Sequence, residues 1–287
     1  MNKNLLDLSG KIDQLTVSVY ETIAKVANSS GIKYFIVGAS ARDMILSHGY
    51  GIRTIRATVD IDIGIQVSSW DDYKKLSSDL IQTGKFTETR EPQRILFNSN
   101  IPIDFIPFGN IVSKSNRITW QPADEVTLNV LGFEEAYKNA IMVRLRSDPV
   151  LDIRVASLTG LTILKLISFH DRSSGSNKDA KDLVFIIDHY LEAGNENRLY
   201  EGNPDILEEE DFSLPVASAR LLGRDIAKIV DKSLKNKLLE ILENETDDKG
   251  HFRLLIQVVP SYSDSENLFE QRLNQLNALK KGLKEGK

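Results

Sequence analysis

The segment Thr58-Val59-Asp60-Ile61-Asp62-Ile63-Gly64-Ile65 constrains this chain more than any other. Two aspartates lie two residues apart in a run otherwise built mostly of β-branched apolar residues. Such a run reads as a buried strand. Strand side chains alternate between faces, so Val59, Ile61 and Ile63 share one face and Asp60 and Asp62 the other. Two carboxylates so placed repel. At about 4 Å and an effective dielectric near 20 the Coulomb term is roughly 4 kcal/mol. A divalent cation with oxygen ligands is the usual remedy. The guanidinium groups of Arg53 and Arg56 are the alternative that the neighbouring sequence holds.

The rest of the composition sets broad limits. The chain has 287 residues, 41% hydrophobic and 27% charged, ordinary for a soluble protein and long enough for two domains. It has no cysteine, which excludes disulfides and thiolate chemistry. No apolar run is long enough to cross a bilayer. The first residues, Met1-Asn2-Lys3-Asn4-Leu5-Leu6-Asp7, lack the apolar core of a signal peptide. A cytoplasmic location without a membrane partner is expected. The net charge of −5 argues against a non-specific grip on nucleic acid. The basic tail from Lys280 to Lys287 reads as a solvated helix end.

Along the chain, Leu5, Leu8, Ile12, Leu15, Val19, Ile23 and Val26 recur at helical spacing and predict a helix over residues 5–29. Tyr34 to Val37 reads as a buried strand. Gly38-Ala39-Ser40 then turns into a helix through about Ser47. A strand over Thr58–Val67 follows, then a helix from Ser69 to about Gln82, with Ser69 and Asp72 placed as a capping box. Arg94 to Phe97 and Ile101 to Ile106 read as paired strands around the turn Asn98-Ser99-Asn100. From about Arg154 the pattern turns helical, beginning with Val155–Phe169 and Asp179–Tyr190. Glu208-Glu209-Glu210-Asp211 reads as an exposed acidic connector. The fold class expected is α+β: a mixed β-sheet with flanking helices over residues 1–150, then a mainly α-helical domain over 151–287.

Four features fall in an order that has chemical meaning. Gly38 lets a strand-to-helix turn approach a ligand closely, and amides at a helix start, with the Ser40 hydroxyl, attract phosphate oxygens. Asp60 and Asp62 form the acidic pair. Asp104, in Ile103-Asp104-Phe105-Ile106, is a third acid inside an apolar strand; on a neighbouring strand it would face the same cleft. Three carboxylates so gathered can nest two divalent ions that bridge a nucleophile and a phosphate. Last come Lys165, Arg172, Lys178 and the helical pair Asp179 and Asp182, which share one face at i, i+3. Lys165 carries a point charge suited to a polyphosphate. The four histidines, His48, His170, His189 and His251, show no metal-ligand spacing. Trp70 and Trp120 read as packing residues.

A glycine-serine-type turn, an Asp-x-Asp strand and a third Asp on a later strand resemble the layout of the DNA polymerase beta-like nucleotidyltransferase superfamily. Within it, Arg56-Ala57-Thr58-Val59-Asp60-Ile61-Asp62 is similar to the R-x-T-x-D-h-D motif of the AbiEii-like group, which includes toxins of toxin–antitoxin systems. Lys165, Arg172, Lys178-Asp179 and Asp182-Leu183 resemble that group's K…R…K-D-x-x-D-L pattern. Gly38-Ala39-Ser40-Ala41-Arg42-Asp43 resembles the G-G-x-x-R-D turn of tRNA nucleotidyltransferases, with Ala39 where the second glycine stands. The resemblance covers about Tyr34 to Leu183.

It implies a metal-dependent nucleotidyltransferase. Asp60, Asp62 and Asp104 would hold Mg²⁺ or Mn²⁺. Gly38, Ser40, Arg56, Thr58, Lys165, Asp179 and Asp182 would form the nucleotide site, with an NTP as substrate. Asp60, Asp62, Asp104 and Lys165 would carry catalysis. A cognate antitoxin protein is the partner the group implies. The acceptor stays open among RNA, tRNA included, a protein side chain and a small molecule such as an antibiotic. Two other classes remain: a catalytically silent nucleotide-binding module of this fold, and a glycosyltransferase using Asp-x-Asp to hold a metal and a nucleotide sugar.

Overall fold

Alternating apolar residues build an eight-stranded mixed sheet in the first part of this chain. The structure is a computed structural model that describes residues 5–54, 60–120, 127–172, 176–247, 249–260 and 265–286. The chain divides into two compact units, Met1–Ser157 and Leu158–Lys287. The α+β class expected from the sequence is the one observed, with strands confined to the first unit among the described residues.

The first unit runs β1 (Leu5–Asp7), α1 (Gln14–Ser29), β2 (Lys33–Val37), α2 (Gly38–Asp43), β3 (Ile61–Val67), α3 (Trp70–Gln82), β4 (Phe86–Glu88), β5 (Arg94–Phe97), β6 (Ile101–Gly109), β7 (Arg117–Thr119), β8 (Thr127–Asn129), α4 (Phe133–Lys138), β9 (Ile141–Ser147) and β10 (Val150–Val155). The strand order in the large sheet is β1-β9-β10-β2-β3-β6-β5-β4. Its centre pairs β2 with β3 antiparallel and β3 with β6 parallel. Ile61, Ile63, Ile65 and Val67 are all buried on one face of β3. Phe35 anchors the core, its ring edge-on to Phe108 at 5.6 Å, Phe133 at 6.2 Å and Tyr137 at 5.5 Å. Such ring pairs add about 0.5–1.5 kcal/mol each beyond area burial.

Local chemistry accounts for where elements begin. Ser69 accepts from the Asp72 amide at 3.2 Å while the Asp72 carboxylate accepts from the Ser69 amide at 3.0 Å. This is the reciprocal capping box expected, and it starts α3 at Trp70. The turn between β5 and β6 carries positive φ at Asn98 and Ser99 (48° and 57°).

Three expectations are corrected. The helix expected over residues 5–29 begins only at Gln14, because the Asp13 carboxylate caps it by accepting from the Thr16 amide at 2.9 Å; Leu5–Asp7 instead pairs with β9. Leu15, placed on the apolar face, is 48% exposed. The strand expected from Thr58 begins at Ile61, with Asp60 in the bend before it, while Arg56, Thr58 and Val59 lie outside the described residues. Helix α2 continues past Asp43 as a π-helical turn, Met44–Gly49.

The second unit is helical: α5 (Leu158–Asp171), α6 (Lys178–His189), α7 (Glu196–Gly202), α8 (Pro204–Glu209), α9 (Leu214–Ala227), α10 (Lys232–Asn244), α11 (Arg253–Val258) and α12 (Ser265–Glu285). Helices α9 and α12 touch backbone to backbone. A Cβ on Gly282 would lie 2.0 Å from the Arg220 carbonyl oxygen, so only glycine fits there. The acidic run from Glu208 is exposed at Glu208, Glu209 and Asp211, as expected, but Glu209 and Glu210 also make ion pairs. Arg220, 2% exposed, binds Glu209 at 2.8 Å, Glu210 at 2.7 Å and Glu285 at 2.5 Å. A buried guanidinium needs several acceptors, and this run supplies them.

Candidate active site

Strand register brings two of the three predicted acids, Asp62 and Asp104, together. Val37 lies opposite Asp62, Asp62 opposite Asp104, and Asp104 opposite Arg94, in one row across β2, β3, β6 and β5. Directly opposed residues project to the same face. Asp62 and Asp104, 42 positions apart in sequence (104 minus 62), thus stand side by side on adjacent parallel strands. Each sits among buried neighbours and is itself half-buried.

Sequence reasoning missed Arg94. Its Nε donates to Asp104 Oδ1 at 2.7 Å and its Nη2 to Oδ2 at 2.7 Å, a bidentate pair. Nη1 reaches Glu91 at 3.2 Å. Asp104, with Glu91 and Asp60 further off, holds the Arg94 guanidinium above its ordinary pKa against the opposing effect of burial. The sequence did carry a signal for this residue. With Asn98-Ser99-Asn100 as the turn, Phe97 faces Ile101, and counting back three on each strand puts Arg94 opposite Asp104.

The turn after β2 closes over Asp62. Gly38 has φ +66°, and a Cβ there would stand 2.1 Å from Asp62 Oδ2. Both the backbone conformation and the space require glycine. Ser40, expected to bind phosphate, donates its hydroxyl to the Asp60 carbonyl at 3.1 Å. Its single donor is therefore engaged in tying the bend before β3 to α2. Arg42 pairs with Asp43 at 2.6 Å.

The acids differ in their fitness for a metal. Asp60 and Asp62 present hard carboxylate oxygens, the donor type that Mg²⁺ and Mn²⁺ take. Asp104 has both oxygens engaged by Arg94. In keeping with this, no group of three His, Cys, Asp or Glu side chains among the described residues is gathered to hold a metal ion. The expected three-carboxylate nest is not assembled in this conformation, because a guanidinium occupies its third corner.

The second unit gathers the other predicted residues. Lys165, on α5, lies 2.9 Å from Asp179 and 2.7 Å from Asp182 on α6. Arg172 reaches Asp179 at 2.9 Å. Burial alone would push the Lys165 ammonium down; the two carboxylates outweigh it and hold the group above its ordinary value. The i, i+3 spacing of Asp179 and Asp182 is what lets both meet one ammonium. Two of the three N–H donors of Lys165 face these acids.

The sequence matches the family model of the nucleotidyl transferase AbiEii toxin, a type IV toxin–antitoxin system, over residues 44–257. That span holds Asp60, Asp62, Arg94, Asp104, Lys165, Asp179 and Asp182. No curated protein matches. Among solved structures, the antibiotic-resistance factor ANT(2'')-Ia in solution is similar with a TM-score of 0.36 and 12% identity, over 70% of this chain and 98% of that one. The same factor in complex with adenylyl-2''-tobramycin gives a TM-score of 0.38 and 14% identity, over 64% and 99%. The Thermotoga maritima CCA-adding enzyme complexed with tRNA gives 0.31 and 12%, over 96% and 82%. Similarity this low carries no argument by itself; the family match, over more than half of the sequence, does. The chain belongs to the AbiEii nucleotidyl transferase toxin family.

Proposed function

We propose that the unit Met1–Ser157 transfers a nucleoside monophosphate from an NTP to an acceptor hydroxyl and releases pyrophosphate. One observation carries the reading: Asp62 and Asp104 stand in register on adjacent parallel strands, beneath a turn whose Gly38 leaves no room for a Cβ. In such a transfer the acceptor oxygen bonds to the α-phosphorus, the bond from that phosphorus to the bridging oxygen breaks, and pyrophosphate leaves. Catalysis then rests on positioning and charge neutralisation.

Each residue has a role that its surroundings support. Asp60 and Asp62 would hold Mg²⁺ or Mn²⁺, which when bound neutralises the phosphate oxygens. The Ser40–Asp60 hydrogen bond fixes the approach to β3 and so the direction in which Asp62 points. Asp104, once free of Arg94, would complete the cation site and take the acceptor's proton. Gly38 admits phosphate oxygens to the backbone at the start of α2. Arg56 and Thr58 belong to the nucleotide site by their motif. In the helical unit Asp179 and Asp182 hold the Lys165 ammonium in place, and Lys165 and Arg172 are the cations that its motif offers a phosphate group. The family match supports reading the chain as a toxin component, acting in the cytoplasm and opposed by a cognate antitoxin protein. No helix among the described residues is long and apolar enough to cross a membrane.

The test is incubation with each α-labelled NTP, Mg²⁺ and total cell extract. Label should enter one macromolecule or small acceptor, from one preferred NTP, and the identity of the labelled species names the acceptor class. The Arg94–Asp104 pair favours a second reading, a nucleotide-binding module with a silenced centre. That protein would show a melting shift with NTP and Mg²⁺ but transfer no label.

A further inference from the structure

Arg94 has two carboxylates within reach and an open space beside it. Its Nε and Nη2 hold both oxygens of Asp104, while its Nη1 touches Glu91, whose side chain is 53% exposed. The Arg94 side chain is 29% exposed and that of Asp104 15%. On its other side Arg94 borders a cavity of about 290 Å³, walled by the rings of Trp70, Tyr73 and Trp120 and by Glu91. The guanidinium can therefore turn away from the sheet without displacing core residues.

We propose that Arg94 is a latch on Asp104. This rests on the reading of Asp60, Asp62 and Asp104 as a cation centre. In the latched state both Asp104 oxygens are committed to the guanidinium, and a divalent ion at that corner would face a fixed positive charge. In the released state Arg94 lets go of Asp104, keeps its contact with Glu91 and turns toward the cavity, and Asp104 joins Asp60 and Asp62. Cation binding and release are then coupled: the ion gains a ligand only when the bidentate pair opens, so the latch lowers the apparent affinity by the fraction of molecules that are released. A polyphosphate arriving with the ion favours the same state, because phosphate oxygens compete for the guanidinium. Arg94 is thus a positioning residue that makes assembly of the centre conditional on substrate.

The test is direct binding of Mn²⁺, titrated with MnCl₂ alone and read by electron paramagnetic resonance of the free ion. Arg94→Gln should bind Mn²⁺ at least tenfold more tightly than the wild type, and the gain should vanish in Arg94→Gln/Asp104→Asn. Arg94→Lys, which cannot hold both oxygens, should fall between the two. Glu91→Gln, which removes the resting place, should weaken binding about threefold. For the unaltered protein, the ¹⁵N resonance of Arg94 Nε should move on addition of Mg²⁺, independently of any variant's folding. An unchanged Mn²⁺ affinity in Arg94→Gln, with binding still abolished by Asp62→Asn, overturns the latch and leaves the cation centre standing. Absence of Mn²⁺ binding in every variant, with the Nε resonance fixed, overturns both.

Discussion

The row across the sheet and the cluster between α5 and α6 both join acids to cations, but they are built in opposite ways. In the sheet, backbone register sets Asp62, Asp104 and Arg94 side by side whatever their side chains prefer. In the helical unit, side chains do the work: Lys165 reaches from one helix to two acids spaced a turn apart on the next. Register in a sheet can set side by side groups that repel. The helical cluster pairs two cations, Lys165 and Arg172, with two acids, Asp179 and Asp182, and is content by itself. The proposed chemistry lies in the first, while the second holds a lysine still.

The largest expected effect lies in the sheet. Asp62→Asn keeps size and removes charge, so nucleotidyl transfer should fall about 10³-fold, equivalent to about 4 kcal/mol of transition-state stabilisation. The melting curve should be nearly unchanged. A variant that unfolds instead would place Asp62 in the structural class with the helical cluster.

Next comes the cluster itself. Lys165→Met leaves Asp182 buried without its ammonium and should cost about 3 kcal/mol of stability, measured by urea denaturation. The Lys165 pKa is raised in the fold above its ordinary 10.5. Its stabilising contribution is thus complete below that value and is lost as pH rises through the higher folded value. The stability gap between wild type and variant should stay constant to about pH 10 and then narrow. A gap that widened as pH rose above about 10 would contradict the raised lysine.

Gly38→Ala should cost about 2 kcal/mol, from the positive φ and the crowding of Asp62, and should lower transfer with it. A loss of melting temperature without loss of transfer would uncouple the turn from the acid it covers. The smallest effect belongs to Ser40→Ala, about 1 kcal/mol for one part-buried hydrogen bond to the Asp60 carbonyl. If transfer fell far more than stability, the hydroxyl would have a role beyond that bond.

Much of this centre was legible in advance because strand periodicity is strict. Asp62 and Asp104 sit in apolar runs that fix their face, and a turn of three polar residues fixes the register of β5 on β6. Helix α3 was legible through its Ser69–Asp72 box. Other parts were hidden for identifiable reasons. The periodicity of Leu5 to Ile12 suits a helix, yet Leu5–Asp7 is a strand, because β9 offers an open edge that no local pattern announces. Strands β9 and β10 carry charged residues between Val143, Leu145, Leu151 and Ile153, and the helical run after them drew Val155 into the wrong element. Glu210 looks solvated until Arg220, ten positions on, is folded against it and the more exposed Glu209. The role of Ser40 turned on a carbonyl, which no sequence displays.

The most direct measurement is an anomalous difference map from crystals soaked in MnCl₂ with a non-hydrolysable NTP. The account predicts a manganese peak bound by the carboxylates of Asp60 and Asp62, with the triphosphate against the turn at Gly38. Manganese bound elsewhere, with the Asp62 carboxylate making no contact to it, would contradict the account.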